Sequence, residues 1–203
     1  MIRKNNQKHL LIISSVWPHV SGSFEAANIV THSIISELVS LIDYKISFLC
    51  VNKDLVNAPL EAQDEIDKLR KLGVNFLNPL RLAPPFSLRE NPLAFLKAIL
   101  FTPEIVHFGY DCSDMLKKHI NQHVDVVLTL WSELGLNVSC KIGNIRVAYH
   151  GNPDIKVFDA QYEINKLIGI KSDVIKTIFD RLIRIIKRPL IEKGHLNILK
   201  RYN

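Results

Sequence analysis

The chain has 203 residues, of which 47% are apolar and 23% are charged. This length can bury a sizeable core, and this composition is typical of folded proteins and excludes a disordered chain. Three widely spaced cysteines, Cys50, Cys112 and Cys140, form neither a disulfide framework nor a C-x-x-C pair, which indicates a reducing compartment.

The net charge of +6 is concentrated near the carboxyl terminus. Residues 172–203 hold eight Lys and Arg against three Asp and Glu, whereas residues 1–171 hold eighteen against seventeen. Nucleic-acid binding by residues 1–171 therefore has no electrostatic support. No apolar run approaches the roughly 20 residues that span a bilayer, and no cleavage site follows the short apolar run near the amino terminus. We therefore expect a cytoplasmic protein.

The first half of the chain predicts strands that alternate with helices. The run "KHLLIISSVW" is short and continuously apolar, as in a buried strand, and it ends at Pro18. Apolar residues at helical spacing follow in "FEAANIVTHSIISELVSLI", with Ser23 as the candidate N-cap. The stretch "YKISFLCV" predicts a second strand. The stretch "EAQDEIDKLRKLGV" predicts an amphipathic helix that stops at Gly73, and "NFLNPL" predicts a third strand.

The second half continues the alternation. A loop, "APPFSLRENP", precedes the helix "LAFLKAIL". The next predicted elements are the strand "EIVHFGY", the helix "SDMLKKHINQH" and the two strands "DVVLTLW" and "IRVAYHG". Continuous apolar strands between helices predict an α/β fold, with a Rossmann-like, mostly parallel sheet and helices on both faces. Residues 172–203 predict a basic helical extension interrupted at Pro189 and Gly194, so we expect one domain over 1–171 and an extension over 172–203.

Three segments fall at the carboxyl ends of predicted strands, where open parallel sheets bind ligands. The first contains Ser21, Gly22 and Ser23, whose small side chains let backbone N–H groups approach an anion at a helix N-terminus. Neither G-x-G-x-x-G nor G-K-[ST] is present, which excludes the dinucleotide and P-loop motifs. A tight turn between strand and helix explains these residues equally well.

The second and third segments carry larger side chains. Trp131 and Glu133 could stack on and hydrogen-bond a sugar or another polar ligand, although a tryptophan at a strand end also serves as a core plug. His150 follows the sixth strand, and Gly151 gives backbone access beside it. An isolated histidine is often structural, but this position makes His150 the candidate for direct chemistry.

Other chemistries have weaker signals. His119 and His123 have the i, i+4 spacing of zinc ligands, but "HINQH" lacks the glutamate of H-E-x-x-H and is explained by an exposed helix end. We therefore predict no metal site. The absence of a G-x-S-x-G elbow, and of a convincing Cys–His arrangement, also gives no support to covalent hydrolysis.

The basic extension has two interpretations. Its apolar stripe is flanked by basic side chains that could bind anionic lipid: Lys176, Arg184, Lys187 and Arg188. The alternative is a helix packed on its own sheet with a solvated basic face. Sedimentation with anionic vesicles at rising salt separates the two, because lipid binding through these charges weakens as salt screens them.

The order and spacing of three stretches resemble the amino-terminal domain of family 4 glycosyltransferases of the GT-B fold: "LLIISSVWPHVSGSFEAANIV", "HVDVVLTLWSELG" and "IRVAYHGNPD". The resemblance covers nearly the whole chain. It implies that the loop at Ser21, Gly22 and Ser23 faces the donor diphosphate, although the family usually has two adjacent glycines there. It also implies that His150 lies beside the anomeric carbon and the acceptor, and that Trp131 and Glu133 shape the acceptor pocket.

The implied reaction moves a sugar from a nucleotide-sugar to a hydroxyl acceptor with retained configuration and without a cofactor or obligatory metal. Its products would be surface polysaccharide or glycolipid, made in the cytoplasm, with a peripheral site at the inner membrane face as a further possibility. In the family a second Rossmann-like domain with an E-x7-E pair holds the donor, and this sequence has no such pair. We therefore expect an acceptor-side half that transfers no sugar alone. The alternative is a non-catalytic acceptor-binding or scaffold module that works with a partner chain.

Overall fold

The computed structural model describes the following residues: 7–20, 26–52, 57–81, 92–93, 96–97, 116, 120, 122–132, 142–149, 189, 192–194, 196–197 and 200. The chain divides into two compact units, one of residues 1–84 and 109–150 and one of residues 85–108 and 151–203. The described strands, α1 (Ala26–Leu41) and α2 (Gln63–Lys71) belong to the first unit.

The described part of the first unit contains a six-stranded sheet in which every pairing is parallel. The strands are β1 (His9–Ser14), β2 (Lys45–Asn52), β3 (Asn75–Phe76), β4 (Leu80–Arg81), β5 (Val126–Leu130) and β6 (Ile145–Tyr149). Their order is β3-β2-β1-β5-β6, and β4 also pairs with β2. This order places β1 at the centre and confirms the predicted Rossmann-like α/β class.

Helices cover both faces of the sheet, and successive side chains of β1 pack alternately in an apolar cluster on each face. Leu10 and Ile12 pack in a cluster with residues of α1 (Ala26–Leu41) and α2 (Gln63–Lys71). Leu11 and Ile13 pack in a second cluster, which includes the helical positions Leu116 and Ile120. A strand buried on both faces needs the continuous apolar run that the sequence shows.

The predicted stop at Gly73 is confirmed by its hydrogen bonds. Gly73 has a φ of 100°, a left-handed conformation that glycine adopts without a Cβ clash. Its N–H donates to the Arg70 carbonyl (3.0 Å), and the Val74 N–H donates to the Leu69 carbonyl (3.1 Å). These two bonds form a Schellman cap, which satisfies carbonyls at the end of α2 and turns the chain into β3.

Several predicted elements differ in detail. The third strand is divided into β3 and β4, because Asn78 and Pro79 lie between them and proline has no N–H to donate to a ladder.

Two helical predictions also differ from the structure. Gln122 and His123 are not helical, so the predicted helix does not reach His123, whereas Pro189 and Gly194 are helical where we expected breaks. The strand predicted at 104–110 lies outside the described residues. None of the described helices combines the length and apolar character needed to cross a bilayer.

The amino ends of the strands are joined by a buried histidine. His9 is 4% exposed, with Nδ1 2.9 Å from the His123 carbonyl and Nε2 2.8 Å from Ser47 Oγ. A carbonyl only accepts hydrogen bonds, so Nδ1 carries the proton and Nε2 accepts from the Ser47 hydroxyl. The backbone N–H of His9 donates to Asp125 Oδ2 (2.8 Å), which lowers the pKa of that carboxyl. Neutral His9 thus connects β1, β2 and the start of β5.

Protonation of His9 is expected to destabilise the fold. Burial lowers the pKa of His9 below its ordinary 6.5, so below that pH the unfolded chain binds a proton that the folded chain does not. The free energy of unfolding should therefore fall as the pH drops below about 6.5 and stay level, for this group, above it. Urea unfolding across this range should show a smaller slope with pH in His9→Gln. An unchanged slope would contradict the prediction.

The thiol of Cys50 is expected to be inert. Cys50 is 0% exposed within β2, and burial raises the pKa of its thiol to about 12. Because the thiolate is the reactive form, a variant with Cys112→Ser and Cys140→Ser should react with a thiol reagent at least about 100-fold more slowly when folded than in denaturant. Rapid labelling of the folded variant would show that β2 is not buried in the sheet.

Candidate functional site

Among the sequence-predicted site residues, Trp131 is the one that the structure describes. It directly follows β5 and is half-buried. Six others lie outside the described residues: Ser21, Gly22, Ser23, Glu133, His150 and Gly151. Their expected roles remain predictions, and the geometry of the site comes from the residues at the ends of the neighbouring strands.

Hydrogen bonds connect the carboxyl ends of four parallel strands. The Ser15 hydroxyl, one residue beyond β1, donates to the Trp131 carbonyl. The Trp131 N–H donates to the carbonyl of Tyr149, the last residue of β6 (3.2 Å). Asn52 Nδ2, at the end of β2, donates to the Ser15 carbonyl (3.1 Å). The ends of β1, β2, β5 and β6 therefore form one connected edge, which we call the carboxyl edge.

Trp131 has an unusual conformation at this edge. Its φ of 52° is positive, which no other described non-glycine residue shares. Its indole ring packs edge-on against the Tyr149 ring, with centroids 5.2 Å apart and an interplanar angle of 84°. Its Nε1 is buried and has no hydrogen-bond partner among the residues that the structure describes. Left-handed backbone at a bulky residue costs about 1–3 kcal/mol, and such residues cluster at functional sites, so Trp131 is the described residue that best marks a site.

The strain at Trp131 can be measured with two variants that both remove the ring. Trp131→Gly and Trp131→Ala lose the same contact with Tyr149, but glycine adopts a positive φ without a Cβ clash. Trp131→Gly is therefore expected to be more stable than Trp131→Ala by about 1 kcal/mol in urea unfolding. The reverse order of stability would show that the backbone there is not left-handed.

Buried polar contacts fix the chain between β1 and the small-residue loop. Asn28 on α1 is 8% exposed and donates from Nδ2 to the Trp17 carbonyl (2.9 Å). Glu65 on α2 is also 8% exposed, and its carboxylate accepts the backbone N–H of Val20. Both helices thus hold residues 17–20, which lead directly to Ser21. Asn28 Oδ1 is buried without a hydrogen-bond partner in the described structure.

Sequence reasoning missed Ser15, Asn52 and Tyr149 as members of the carboxyl edge. A signal for them was present, since each is a polar or amphipathic residue at or just after the end of an apolar strand. Parallel strands end at the same edge, so such residues meet even when they are far apart in the chain. The strand order, which decides which ends are adjacent, cannot be read from one strand at a time.

The opposite edge of the sheet also holds a pocket. It has a volume of about 330 Å³ and is lined by residues that precede β5 and β6, including Gln122, His123, Gly143 and Asn144. In parallel sheets, however, ligands gather at the carboxyl ends of strands. The carboxyl edge is therefore the better candidate, and the opposite pocket is the natural control region. No group of His, Cys, Asp and Glu suited to a metal ion occurs among the described residues.

Comparison of the chain with protein-family models, with curated proteins and with solved structures finds no match. The carboxyl edge contains the polar side chains of Ser15 and Asn52, which form hydrogen bonds within the edge, and the aromatic rings of Trp131 and Tyr149. Aromatic faces with a few placed polar groups are typical of sites for small polar ligands.

Proposed function

We propose that this chain is the amino-terminal, acceptor-side part of a retaining glycosyltransferase of the GT-B fold. It would act in the transfer of a sugar from a nucleotide-sugar to a hydroxyl acceptor, in polysaccharide or glycolipid synthesis. A second Rossmann-like domain or partner chain would hold most of the donor, so this chain alone would transfer no sugar.

The observation that carries this proposal is the carboxyl edge itself. The hydrogen bond between Trp131 and Tyr149 joins the ends of β5 and β6, and the chain continues from Tyr149 directly to His150. The bond from Ser15 adds the end of β1, from which residues 17–20 lead to Ser21. The three segments that carry the family resemblance therefore all leave the sheet at this edge.

The proposed chemistry assigns each segment a task. His150 would contact the donor sugar and the acceptor at the reacting carbon, with Gly151 leaving room for the substrate. Backbone N–H groups at Ser21, Gly22 and Ser23 would stabilise the departing diphosphate. Trp131 and Glu133 would hold the acceptor. Catalysis would rest on positioning and on fixed dipoles around an oxocarbenium-like centre, without covalent chemistry by the protein.

A transfer assay tests the proposal. The purified chain is incubated with radiolabelled UDP- and GDP-sugars and a panel of saccharide and lipid acceptors, alone and after coexpression with the coding sequence downstream of it. We expect transfer after coexpression and none by the chain alone. Robust transfer by the chain alone would contradict the proposal that a second domain or partner chain is needed to hold the donor. No transfer in either sample would contradict the proposed activity.

The downstream coding sequence separates this proposal from the scaffold alternative. A continuation with a second α/β domain and an E-x7-E pair is expected for a transferase. A non-catalytic module would be favoured by a separate downstream reading frame that encodes an intact partner protein. Such a module should bind the acceptor, and replacement of His150 should cause no loss of transfer.

A further inference from the structure

A second pocket lies on the β2–β3 side of the sheet and has a volume of about 260 Å³. Its lining includes Trp17, Asn57, Gln63, Arg70, Phe76 and Asn78. Phe76 ends β3, and Trp17 follows β1, so the pocket lies near the carboxyl ends of these two strands. Pockets for drug-sized ligands have volumes of roughly 300–1,000 Å³, so this one fits a smaller molecule of about one ring.

The aromatic wall of this pocket is preformed. The Trp17 and Phe76 rings lie 6.5 Å apart with an interplanar angle of 14°, and both contact Phe48 in the core. Trp17 is 5% exposed, and its Nε1 is buried without a hydrogen-bond partner in the described structure. A buried donor without a partner carries a free-energy cost.

The polar lining favours a neutral ligand with hydroxyl groups. Asn57 carries an amide, which donates and accepts hydrogen bonds as hydroxyl groups do, and the Gln63 amide, whose Nε2 donates to the Ala58 carbonyl (3.3 Å), has its oxygen as an acceptor. The guanidinium of Arg70 lies over the Phe76 ring (5.4 Å), and its Nη1 is 2.7 Å from Asp67 Oδ1, which compensates its charge. A compensated guanidinium attracts an anion such as phosphate less than a free one does.

We infer that this pocket binds one sugar ring of a saccharide, as a subsite for the non-reacting part of the acceptor. The half-buried Phe76 ring would contact the C–H face of the sugar, and the Asn57 amide and the Gln63 amide oxygen would bind its hydroxyl groups. The identification of the saccharide as an acceptor rests on the proposed function. The pocket itself is argued from its own residues, and binding there does not require transfer.

Saturation-transfer NMR tests the inference on the purified full chain. The probes are methyl β-D-glucopyranoside, methyl α-D-mannopyranoside and N-acetylglucosamine, with inorganic phosphate and AMP as competing classes. We expect at least one glycoside to bind. Loss of one hydrogen bond in Asn57→Ala should weaken that binding by about threefold to tenfold. Asn57 is exposed, so this variant leaves the core intact. Gln122→Ala, an exposed amide lining the opposite pocket, should bind as the unchanged chain does.

Each result has a defined meaning. Binding of phosphate or AMP without any glycoside, or equal affinities in Asn57→Ala and the unchanged chain, would overturn the pocket assignment. Glycoside binding that is weakened in Asn57→Ala would support it even if the coexpressed enzyme transfers no sugar, and the proposed function alone would then fail. Transfer without glycoside binding at this pocket would overturn the pocket assignment and leave the proposed function standing.

Discussion

Leu11→Ala is expected to lower the free energy of unfolding by about 3–5 kcal/mol. Leu11 is 0% exposed on β1, the strand between β2 and β5, and its side chain lies in the apolar cluster that contains Leu116 and Val127. Truncation leaves a cavity that these neighbours fill only partly, because β1 is paired on both sides. Urea unfolding followed by circular dichroism measures the change.

The matched control for this variant is Leu60→Ala. Leu60 is 87% exposed in the turn before α2, so the same truncation there should change stability by less than about 0.5 kcal/mol. A loss at Leu11 no larger than the loss at Leu60 would contradict the central position of β1. The carboxyl edge would then lose its basis, since Ser15 reaches Trp131 only because β1 lies beside β5.

His150→Ala is expected to lower the rate of sugar transfer by the coexpressed enzyme about 100-fold or more. In the proposed site His150 contacts the reacting groups, and removal of one such preorganised contact typically costs a factor of about 100–1,000 in kcat. His150 follows Tyr149 at the carboxyl edge, so the loss should appear in kcat more than in donor binding, which the second domain would provide.

His123→Ala is the control for His150→Ala. His123 precedes β5 at the opposite edge, and its side chain is 74% exposed. The hydrogen bond to His9 uses the backbone carbonyl of His123, which the substitution keeps. Transfer should therefore be unchanged. Equal losses in both variants would indicate a general effect on folding and remove the catalytic role of His150.

The fold was largely predictable because its signals are local. The run from His9 to Ser14 is apolar without alternation, which indicates burial on both faces, and the structure has that arrangement. Gly73 stops α2 through a conformation that favours glycine. The predicted third strand was partly wrong: two short strands, β3 and β4, pair with β2, and Pro79, which has no N–H to donate, lies between them.

The candidate site was predictable only in outline. Trp131 could be placed at a strand end from sequence, but neither its positive φ nor its bond to Tyr149 leaves a signal in a single sequence. Both depend on β6 lying beside β5, which is a long-range property of the sheet. The pocket beside Trp17 was missed for the same reason, since its amides come from segments that follow different strands.

The most direct test of the carboxyl edge as the functional side is amide NMR of the ¹⁵N-labelled chain with a bound glycoside and UDP-glucose. We predict that shift changes cluster at Ser15, Trp131, Tyr149 and the residues around Trp17. Changes confined to 122–124 and 142–144, which line the pocket at the opposite edge, would contradict the account.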